Sequence, residues 1–259
     1  MDLRLTGRRA LVTGSSSGLG HAIARLLAEE GADVVVHGRD ADRTRRVAEE
    51  IGAAGAVVGD LATDQGADTV AHAAGDVDIL VNNAGAYDHV GWDAADAALW
   101  TRTYEVNVVS GVRMIRRLVP AMRERGWGRV IQIGGGLASQ PMAGQPHYSA
   151  TLAARHNLAI SLARELKGTG VTSNTVSPGA VMVGAVRDLL TDMAPERGWG
   201  EDWADIETNA AEEFVPNDIR RFGRPDEIAA AVAYLCSPYA DYVSGATLRV
   251  DGGTIRSVV

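Results

Sequence analysis

Residues 13–20 read Thr-Gly-Ser-Ser-Ser-Gly-Leu-Gly and lie between a short apolar run and a helical pattern. The apolar run covers residues 9–12, and the pattern after the turn places Ile23, Leu26 and Leu27 on one helix face. A strand, a glycine-rich turn and a helix in this order are typical of a dinucleotide-binding turn. Glycines let the backbone approach the pyrophosphate, and the helix N-terminus supplies free N–H groups and a favourable dipole. An ordinary glycine-rich turn is the alternative, which this strand–turn–helix context disfavours.

Composition limits the class of protein. Of the 259 residues, 46% are hydrophobic and 22% are charged, which predicts a globular chain with a substantial core. The 25 basic and 33 acidic residues give a net charge of −8, which disfavours a nucleic-acid partner. A single cysteine, Cys236, excludes an intrachain disulfide, and no Cys/His cluster has metal-site spacing. We see neither a signal peptide nor an apolar run of bilayer length, so we expect a cytoplasmic protein without a membrane partner.

Apolar, strand-like runs alternate with helical patterns along most of the chain. The predicted strands are residues 9–12, 32–37, 56–59, 77–81, 129–133, 171–176 and 247–250. Apolar strands joined by helices predict a parallel sheet that is covered on both faces. We therefore expect a single domain, residues 1–259, with a Rossmann-type, doubly wound α/β fold and a site at the carboxyl ends of the strands. Residues 95–125 are predicted to be mostly one long helix. Residues 182–221 break the alternation, and we expect an irregular lid over a substrate there.

Several short motifs follow the predicted strands and helices in a specific order. They are residues 13–20, Asp60-Leu61, residues 82–85 (Asn-Asn-Ala-Gly), Asn107, residues 148–151 (Tyr-Ser-Ala-Thr), Pro178-Gly179 and residues 221–225 (Arg-Phe-Gly-Arg-Pro). Together they closely resemble the short-chain dehydrogenase/reductase family, over essentially the whole length of the chain. The resemblance implies a nicotinamide cofactor, a small-molecule substrate and a homo-oligomer, a tetramer or a dimer, built partly from the helices at residues 95–125 and 147–168.

The resemblance also implies which residues contact the cofactor. Asp60 would contact the adenine, and the segment at residues 82–85 would shape the floor of the cofactor site. The candidate cofactor-binding residues are Gly14, Ser16, Ser17, Gly18, Leu19, Gly20, Arg39, Asp60, Leu61, Asn83, Ala84, Gly85, Pro178 and Gly179.

The end of the second strand favours one of the two nicotinamide cofactors. An acidic residue there would bind the ribose hydroxyls and repel a 2′-phosphate. This chain has Gly38 followed by Arg39. Because a guanidinium can bind a phosphate, we predict NADP(H) rather than NAD(H). A solvated surface arginine is the alternative interpretation of Arg39.

The catalytic half departs from the family pattern. The resemblance assigns Tyr148 as the proton-exchanging tyrosine and Asn107 as the asparagine that anchors a water. Leu152 stands at the position of the lysine, Gly135 at that of the serine, and Val183 at that of the residue that binds the carboxamide. Without a neighbouring cation, Tyr148 should stay protonated at neutral pH, where it can donate a proton but is a poor base.

Other residues could bear on the site. Arg155 lies seven residues after Tyr148 and so on the same helix face, but we expect it to be a surface or subunit-contact residue rather than a substitute for the lysine. His89 could line the substrate mouth, although a solvated loop is the simpler interpretation. Trp199 and Trp203 could either cover an aromatic or polycyclic substrate or anchor the lid.

Three hypotheses of function follow. The first is an NADP(H)-dependent enzyme that acts on a small organic carbonyl or alcohol with an atypical active site. The second is a non-redox enzyme, such as a cyclase, dehydratase or other lyase, that uses Tyr148 as an acid or hydrogen-bond donor. The third is a catalytically silent homologue. The complete dinucleotide half narrowly favours the first, with carbonyl reduction below ordinary family rates.

Overall fold

A computed structural model describes residues 2–257 of the chain. Its central feature is a seven-stranded sheet in which every neighbouring pair of strands is parallel. The strands are β1 (Arg9–Val12), β2 (Asp33–Gly38), β3 (Gly55–Val58), β4 (Ile79–Asn82), β5 (Gly128–Ile133), β6 (Val171–Pro178) and β7 (Thr247–Val250). Their order across the sheet is β3-β2-β1-β4-β5-β6-β7. The strand order therefore reverses between β1 and β4, where a doubly wound sheet opens a crevice for a ligand.

Nine helices accompany the sheet within residues 2–257. They are α1 (Gly18–Glu29), α2 (Ala41–Glu50), α3 (Asp64–Ala74), α4 (Ala97–Tyr104), α5 (Ser110–Arg125), α6 (Pro146–Glu165), α7 (Gly184–Arg197), α8 (Trp203–Phe214) and α9 (Pro225–Cys236). Helices α1, α2 and α9 cover one face of the sheet, and α3 and α5 cover the other. Alternation along β1 shows why both faces are apolar, since Ala10 and Val12 enter one hydrophobic cluster and Leu11 enters the other. The Rossmann-type α/β fold predicted from the sequence is confirmed.

The long helix predicted for residues 95–125 is interrupted. A π-helical segment, Glu105–Val109, joins α4 to α5, and it contains Asn107. Such segments occur often at functional sites, because the extra residue per turn redirects side chains and frees backbone carbonyls.

The expectation of an irregular lid at residues 182–221 is wrong in one respect, since α7 and α8 occupy most of it. The two helices carry a small hydrophobic core of their own, formed by Leu190, Ala194, Trp199, Ile206, Ala210, Ala211 and Phe222. Pro195 lies in the last turn of α7. The hydrogen bond that its missing N–H removes therefore falls at the end of the helix, where it does not interrupt the helix.

Within the part of the chain that the structure describes, no helix is long and apolar enough to cross a membrane. The same residues contain no group of three or more His, Cys, Asp or Glu side chains that could hold a metal ion.

Candidate active site

The glycine turn after β1 packs directly against the segment after β4. Gly14 has a φ of +65°, and a Cβ atom on it would lie 2.9 Å from the Cα of Ala84. A Cβ atom on Gly20 would lie 2.4 Å from the carbonyl oxygen of Gly14 and 2.5 Å from Nδ2 of Asn83. Both positions therefore require glycine, because a side chain would push the two segments apart.

Polar contacts hold these two segments together. The side chain of Asn83 donates to the carbonyl oxygens of Thr13 (2.9 Å) and Gly14 (3.2 Å). The Thr13 hydroxyl accepts from the backbone N–H groups of Asn83 and Ala84, each at 3.0 Å. The predicted turn and the predicted floor thus meet at the crevice between β1 and β4. Sequence reasoning did not select Thr13 as a site residue, although it opens the motif.

The N-terminus of α1 is open. Ser17 is the N-cap, it is exposed, and its side chain makes no capping hydrogen bond. The first N–H groups of the helix are therefore free to bind a pyrophosphate, as the strand–turn–helix motif predicts. The lid begins close by, since a Cβ atom on Gly18 would lie 3.9 Å from Cγ1 of Val183.

His37 is hydrogen-bonded to the glycine turn after β1, and it was not among the residues selected from the sequence. Its Nδ1 accepts from the Gly14 N–H at 2.9 Å, so its Nε2 carries the proton and donates to the Gly59 carbonyl at 3.1 Å. The ring is 3% exposed, and burial lowers the pKa of His37. A neutral imidazole therefore ties the glycine turn to the end of β3. A histidine within the apolar run of β2 was the signal in the sequence.

The end of β2 fits an extra phosphate. A Cβ atom on Gly38 would lie 2.3 Å from Oγ1 of Thr44 and 2.7 Å from Oγ of Ser16, so an acidic side chain does not fit there. Arg39 is exposed beside this position. Asp60 is also exposed, and its Oδ1 accepts from the Ala62 N–H at 3.0 Å.

The remaining candidate cofactor residues lie around the same end of the sheet. Gly85 is exposed, and Gly179 follows β6, where its N–H donates to the Val250 carbonyl at 3.1 Å. Leu61 differs from the rest, because its side chain is buried in the hydrophobic cluster beneath β3. Its backbone alone could face a nucleotide. With the free N–H groups of α1 and the side-chain-free position 38, the residues of this half fit a phosphorylated dinucleotide.

Asn107 and Tyr148 meet through Thr151. The Asn107 side chain donates to Oγ1 of Thr151 at 3.0 Å, and that hydroxyl donates to the Tyr148 carbonyl at 2.7 Å. Asn107 also accepts from the N–H of Ala86 (2.7 Å) and donates to its carbonyl (2.9 Å). Its amide therefore fixes the start of α6 against the segment after β4, and the Tyr148 ring lies half-buried at that start.

Leu152, one turn after Tyr148 on α6, packs against Gly135. The Leu152 side chain is 3% exposed, and its Cδ1 lies 2.9 Å from where a Cβ atom on Gly135 would be. Leucine thus fills the space next to residue 135. A substrate oxygen here would lack the hydroxyl donor that a serine supplies.

Arg155 is buried, and the expectation that it is a surface residue is wrong. It is 5% exposed, and it donates through Nη1 to the Ile133 carbonyl at 2.7 Å, through Nε to the Asn107 carbonyl and through Nη2 to the Ala84 carbonyl. Burial lowers the pKa of Arg155 to about 10, which leaves it charged at neutral pH. Burial also raises the pKa of Tyr148, and the positive charge of Arg155 opposes that rise.

Aromatic side chains surround the mouth of the site. The Tyr87 ring is 52% exposed and lies 6.4 Å from the Tyr148 ring, centroid to centroid. Trp92 is 65% exposed and lies 5.8 Å from the Trp100 ring, which in turn lies 6.2 Å from the buried His147 ring. This side of the mouth is therefore apolar and aromatic.

The other candidates at the mouth have different surroundings. Trp199 is 4% exposed and its Nε1 donates to Glu213 at 2.8 Å, so it packs into the core shared by α7 and α8 rather than facing a substrate. Trp203 is half-buried, with the guanidinium of Arg187 4.5 Å from its ring centroid. His89 is exposed on the loop after β4.

Comparison with known proteins agrees with this geometry. A family model for short chain dehydrogenases matches residues 8–194. The chain is 40% identical to the uncharacterized oxidoreductase YvaG of Bacillus subtilis, with 100% of both sequences covered. It is 34% identical to 7alpha-hydroxysteroid dehydrogenase of Escherichia coli, with 99% of this chain and 98% of that protein covered.

Solved structures give the same answer. L-sorbose reductase from Gluconobacter frateurii, complexed with NADPH and L-sorbose, is 35% identical with a TM-score of 0.92, and 100% of both chains is covered. A 3-oxoacyl (acyl-carrier-protein) reductase from Agrobacterium tumefaciens, with NADP bound, is 35% identical with a TM-score of 0.87, covering 97% and 96% of the two chains. The chain belongs to the short-chain dehydrogenase/reductase family of oxidoreductases.

Proposed function

We propose that the chain is an NADP(H)-dependent oxidoreductase that interconverts a small organic carbonyl compound and its alcohol at an atypical active site. The observation that carries this proposal is the complete dinucleotide half, in which Gly14, Gly20 and Asn83 lock together beneath the open N-terminus of α1. Two similar structures were solved with NADPH or NADP bound. We extend that cofactor to this chain on the geometry around Gly38 and Arg39.

Cofactor preference follows from sterics and charge. Position 38 has no room for a carboxylate that would bind ribose hydroxyls, and Arg39 brings an exposed guanidinium to the same place. A guanidinium binds a phosphate with charge-assisted, paired hydrogen bonds. NADP(H) should therefore bind more tightly than NAD(H).

When bound, the nicotinamide would supply or accept the hydride at the substrate carbon. Tyr148 would hold the substrate oxygen and donate its phenolic proton to it. Asn107, through Thr151, keeps the first turn of α6 in place for this purpose. Because Gly135 has no hydroxyl and Leu152 no charge, the substrate oxygen loses two stabilising groups. Turnover should therefore be slow for the family.

The mouth favours an aromatic or polycyclic substrate. Tyr87 and Trp92 present exposed rings next to Tyr148 and Trp100, and flat apolar rings stack well on such side chains. A panel of aryl and polycyclic ketones should be reduced faster than aliphatic ketones of equal size. Equal rates for the two groups would contradict this assignment.

We further propose that the chain acts in the cytoplasm as a homo-oligomer, a dimer or a tetramer. The helices that would form the interfaces are α4, α5 and α6, which the family resemblance assigns to that role. Light scattering of the purified protein would measure the mass directly, and a monomer at working concentration would exclude this arrangement.

One observation favours a second function. Leu152 fills the space beside Gly135 with hydrocarbon, and it lies four residues after Tyr148 on the same face of α6. A protonated phenol in such surroundings suits a cyclase, dehydratase or other lyase. Turnover without change in the cofactor would support this alternative, and a rate that consumes NADPH stoichiometrically would exclude it.

Direct titration of the purified protein with NADPH and NADH, after removal of any co-purified nucleotide, tests the main proposal. We expect saturable binding of both and tighter binding of NADPH. If neither nucleotide binds, the proposed oxidoreductase activity is wrong, and the glycine turn has only a structural role, as in a silent homologue.

A further inference from the structure

Arg155 is a buried cation with an unusual set of partners. Its three hydrogen bonds all go to backbone carbonyl oxygens, those of Asn107, Ile133 and Ala84. Among residues 2–257 no carboxylate forms an ion pair with it, whereas the other arginine buried to this degree, Arg129, pairs with Asp241. Carbonyl oxygens alone offset its charge in the resting protein, so the charge is available to a negative group that forms nearby.

The three carbonyls come from the segments that build the active site. Asn107 lies in the π-helical segment, Ile133 ends β5 just before Gly135, and Ala84 lies in the floor of the cofactor site. A planar guanidinium has its donors fixed in a fork, so one side chain holds these segments at fixed mutual distances. Arg155 thus positions the backbone on which the site is built.

Tyr148 is an acidic group on the same helix face as this charge. Arg155 follows Tyr148 by seven residues, two turns along the same face of α6, with Leu152 between them. The titratable groups that face the Tyr148 phenol are Arg155 and, across the mouth, Tyr87. An ionised Tyr87 would oppose a negative charge on Tyr148, and Arg155 would stabilise it.

We propose that Arg155 is a positioning residue that supplies, from one turn further along α6, the positive charge that Leu152 does not provide. This inference rests on the proposed function in so far as Tyr148 gives its proton to a substrate oxygen. In that step the Tyr148 O–H bond breaks, the oxygen of the substrate gains the proton, and the phenolate remains in the field of Arg155. A proton from solvent then restores the phenol.

The test is a titration of Tyr148 in the protein without substrate or cofactor. Replacing the six tyrosines biosynthetically with 3,5-difluorotyrosine lowers their pKa values, so the phenols titrate where the fold is intact. Fluorine NMR follows each ring, and Tyr148→Phe identifies the signal of Tyr148. Arg155→Gln keeps hydrogen-bond donors and removes the charge, and it should raise the pKa of Tyr148 by about one unit.

Two further variants separate charge from structure. Arg155→Lys keeps the charge and loses carbonyl contacts, so it should lower stability while leaving the pKa of Tyr148 nearly unchanged. Arg129→Gln removes a buried guanidinium elsewhere, and it should destabilise the fold without moving the Tyr148 titration.

The proposal is overturned if Arg155→Lys raises the pKa of Tyr148, or if Arg129→Gln does. If Arg155→Gln does not fold, Arg155→Met takes its place as the uncharged variant in the same titration, with the same rise in the pKa of Tyr148 expected. An unchanged Tyr148 titration in a folded Arg155→Gln protein would also overturn it. A failure of the proposed function is detected separately: the unmodified chain then does not bind NADPH in a direct titration.

Discussion

The side chain of Leu152 occupies the space that a side chain at residue 135 would need. Its Cδ1 atom lies 2.9 Å from the point where a Cβ atom on Gly135 would stand. Ordinary Cβ contacts are longer, so any side chain at residue 135 requires Leu152 to shift. Because Leu152 is 3% exposed and packed in the interior, it has little room to do so. Residues 135 and 152 are therefore structurally coupled.

This coupling predicts a non-additive effect on stability. Gly135→Ser alone should lower the free energy of unfolding by about 1–3 kcal/mol, because it overpacks the interior. Leu152→Ala is itself destabilising because it removes a buried side chain, but Gly135→Ser should cost less in the Leu152→Ala background, since the smaller side chain leaves room for the serine. Urea denaturation of the unmodified chain, the two single variants and the double variant measures the coupling. Purely additive effects would mean that Leu152 moves aside without cost.

Introducing polar groups at residues 135 and 152 should raise activity. Gly135→Ser with Leu152→Lys places a hydroxyl donor and a cation next to Tyr148, which should stabilise negative charge on the substrate oxygen and on the phenol. We expect NADPH-dependent carbonyl reduction to increase at least about tenfold over the unmodified chain. Tyr148→Phe in the same background should abolish the gain. A gain that survives this third change would show that Tyr148 is not the proton donor.

Tyr148→Phe in the otherwise unmodified chain should reduce turnover by about 10²- to 10⁴-fold, the usual contribution of a positioned proton donor. NADPH affinity should stay nearly constant, because the phenol acts on the substrate oxygen. Tyr87→Phe is the matched control: it keeps an exposed ring at the mouth and removes a hydroxyl. Steady-state kinetics with each variant gives the comparison. Equal activity of Tyr148→Phe and the unmodified chain would favour the silent homologue.

Most of the fold could be predicted from the sequence. Residues 9–12 and 247–250 were predicted as strands and form β1 and β7, because short apolar runs beside turn residues leave few alternatives. The lid was harder to predict. The apolar residues of α7 and α8 pack on each other rather than on the sheet. The sequence pattern of residues 182–221 therefore lacks the periodicity of a helix that packs on the sheet.

The site was predictable where backbone geometry dictates residue type, and not where long-range packing does. Gly14 and Gly20 could be identified because the close approach of two segments leaves no room for a side chain. Arg155 could be placed on the face of Tyr148 by counting residues, but arginine is rarely buried, so the sequence favoured the surface. Its three carbonyl partners come from residues far apart in the chain, and local patterns carry no information about them.

Arg39 should determine the preference for NADPH. Arg39→Ala should weaken NADPH binding about tenfold and leave NADH binding unchanged, since an exposed guanidinium contributes only part of a full charge-assisted hydrogen bond. The difference between the affinities for NADPH and NADH should decrease as the salt concentration rises. Arg45→Ala, which removes an exposed guanidinium of α2 that pairs with Asp42, is the control. Equal weakening by both substitutions would indicate a general effect of net charge.

His37 should make stability depend on pH. Its Nδ1 accepts from Gly14, so the folded chain needs the neutral ring, and burial lowers the pKa of His37 below its unfolded value of about 6.5. As pH falls below that value, the unfolded chain binds a proton before the folded chain does, and the free energy of unfolding decreases until the lower folded pKa is passed. Burial also lowers the pKa of His156, which adds an effect of the same sign.

Urea denaturation between about pH 5 and pH 8 measures this dependence, with full stability expected above about pH 7. His37→Asn offers an amide oxygen in place of Nδ1 and cannot be protonated, so its stability should change less with pH. NADPH binding by the folded chain should weaken only below the lowered folded pKa of His37, where a protonated ring cannot accept from Gly14 and the glycine turn loosens. His89→Asn, on the exposed loop after β4, should keep the slope of the unmodified chain. If the free energy of unfolding of His37→Asn changes with pH as steeply as that of the unmodified chain, the hydrogen bond from Gly14 to the imidazole does not stabilise the turn.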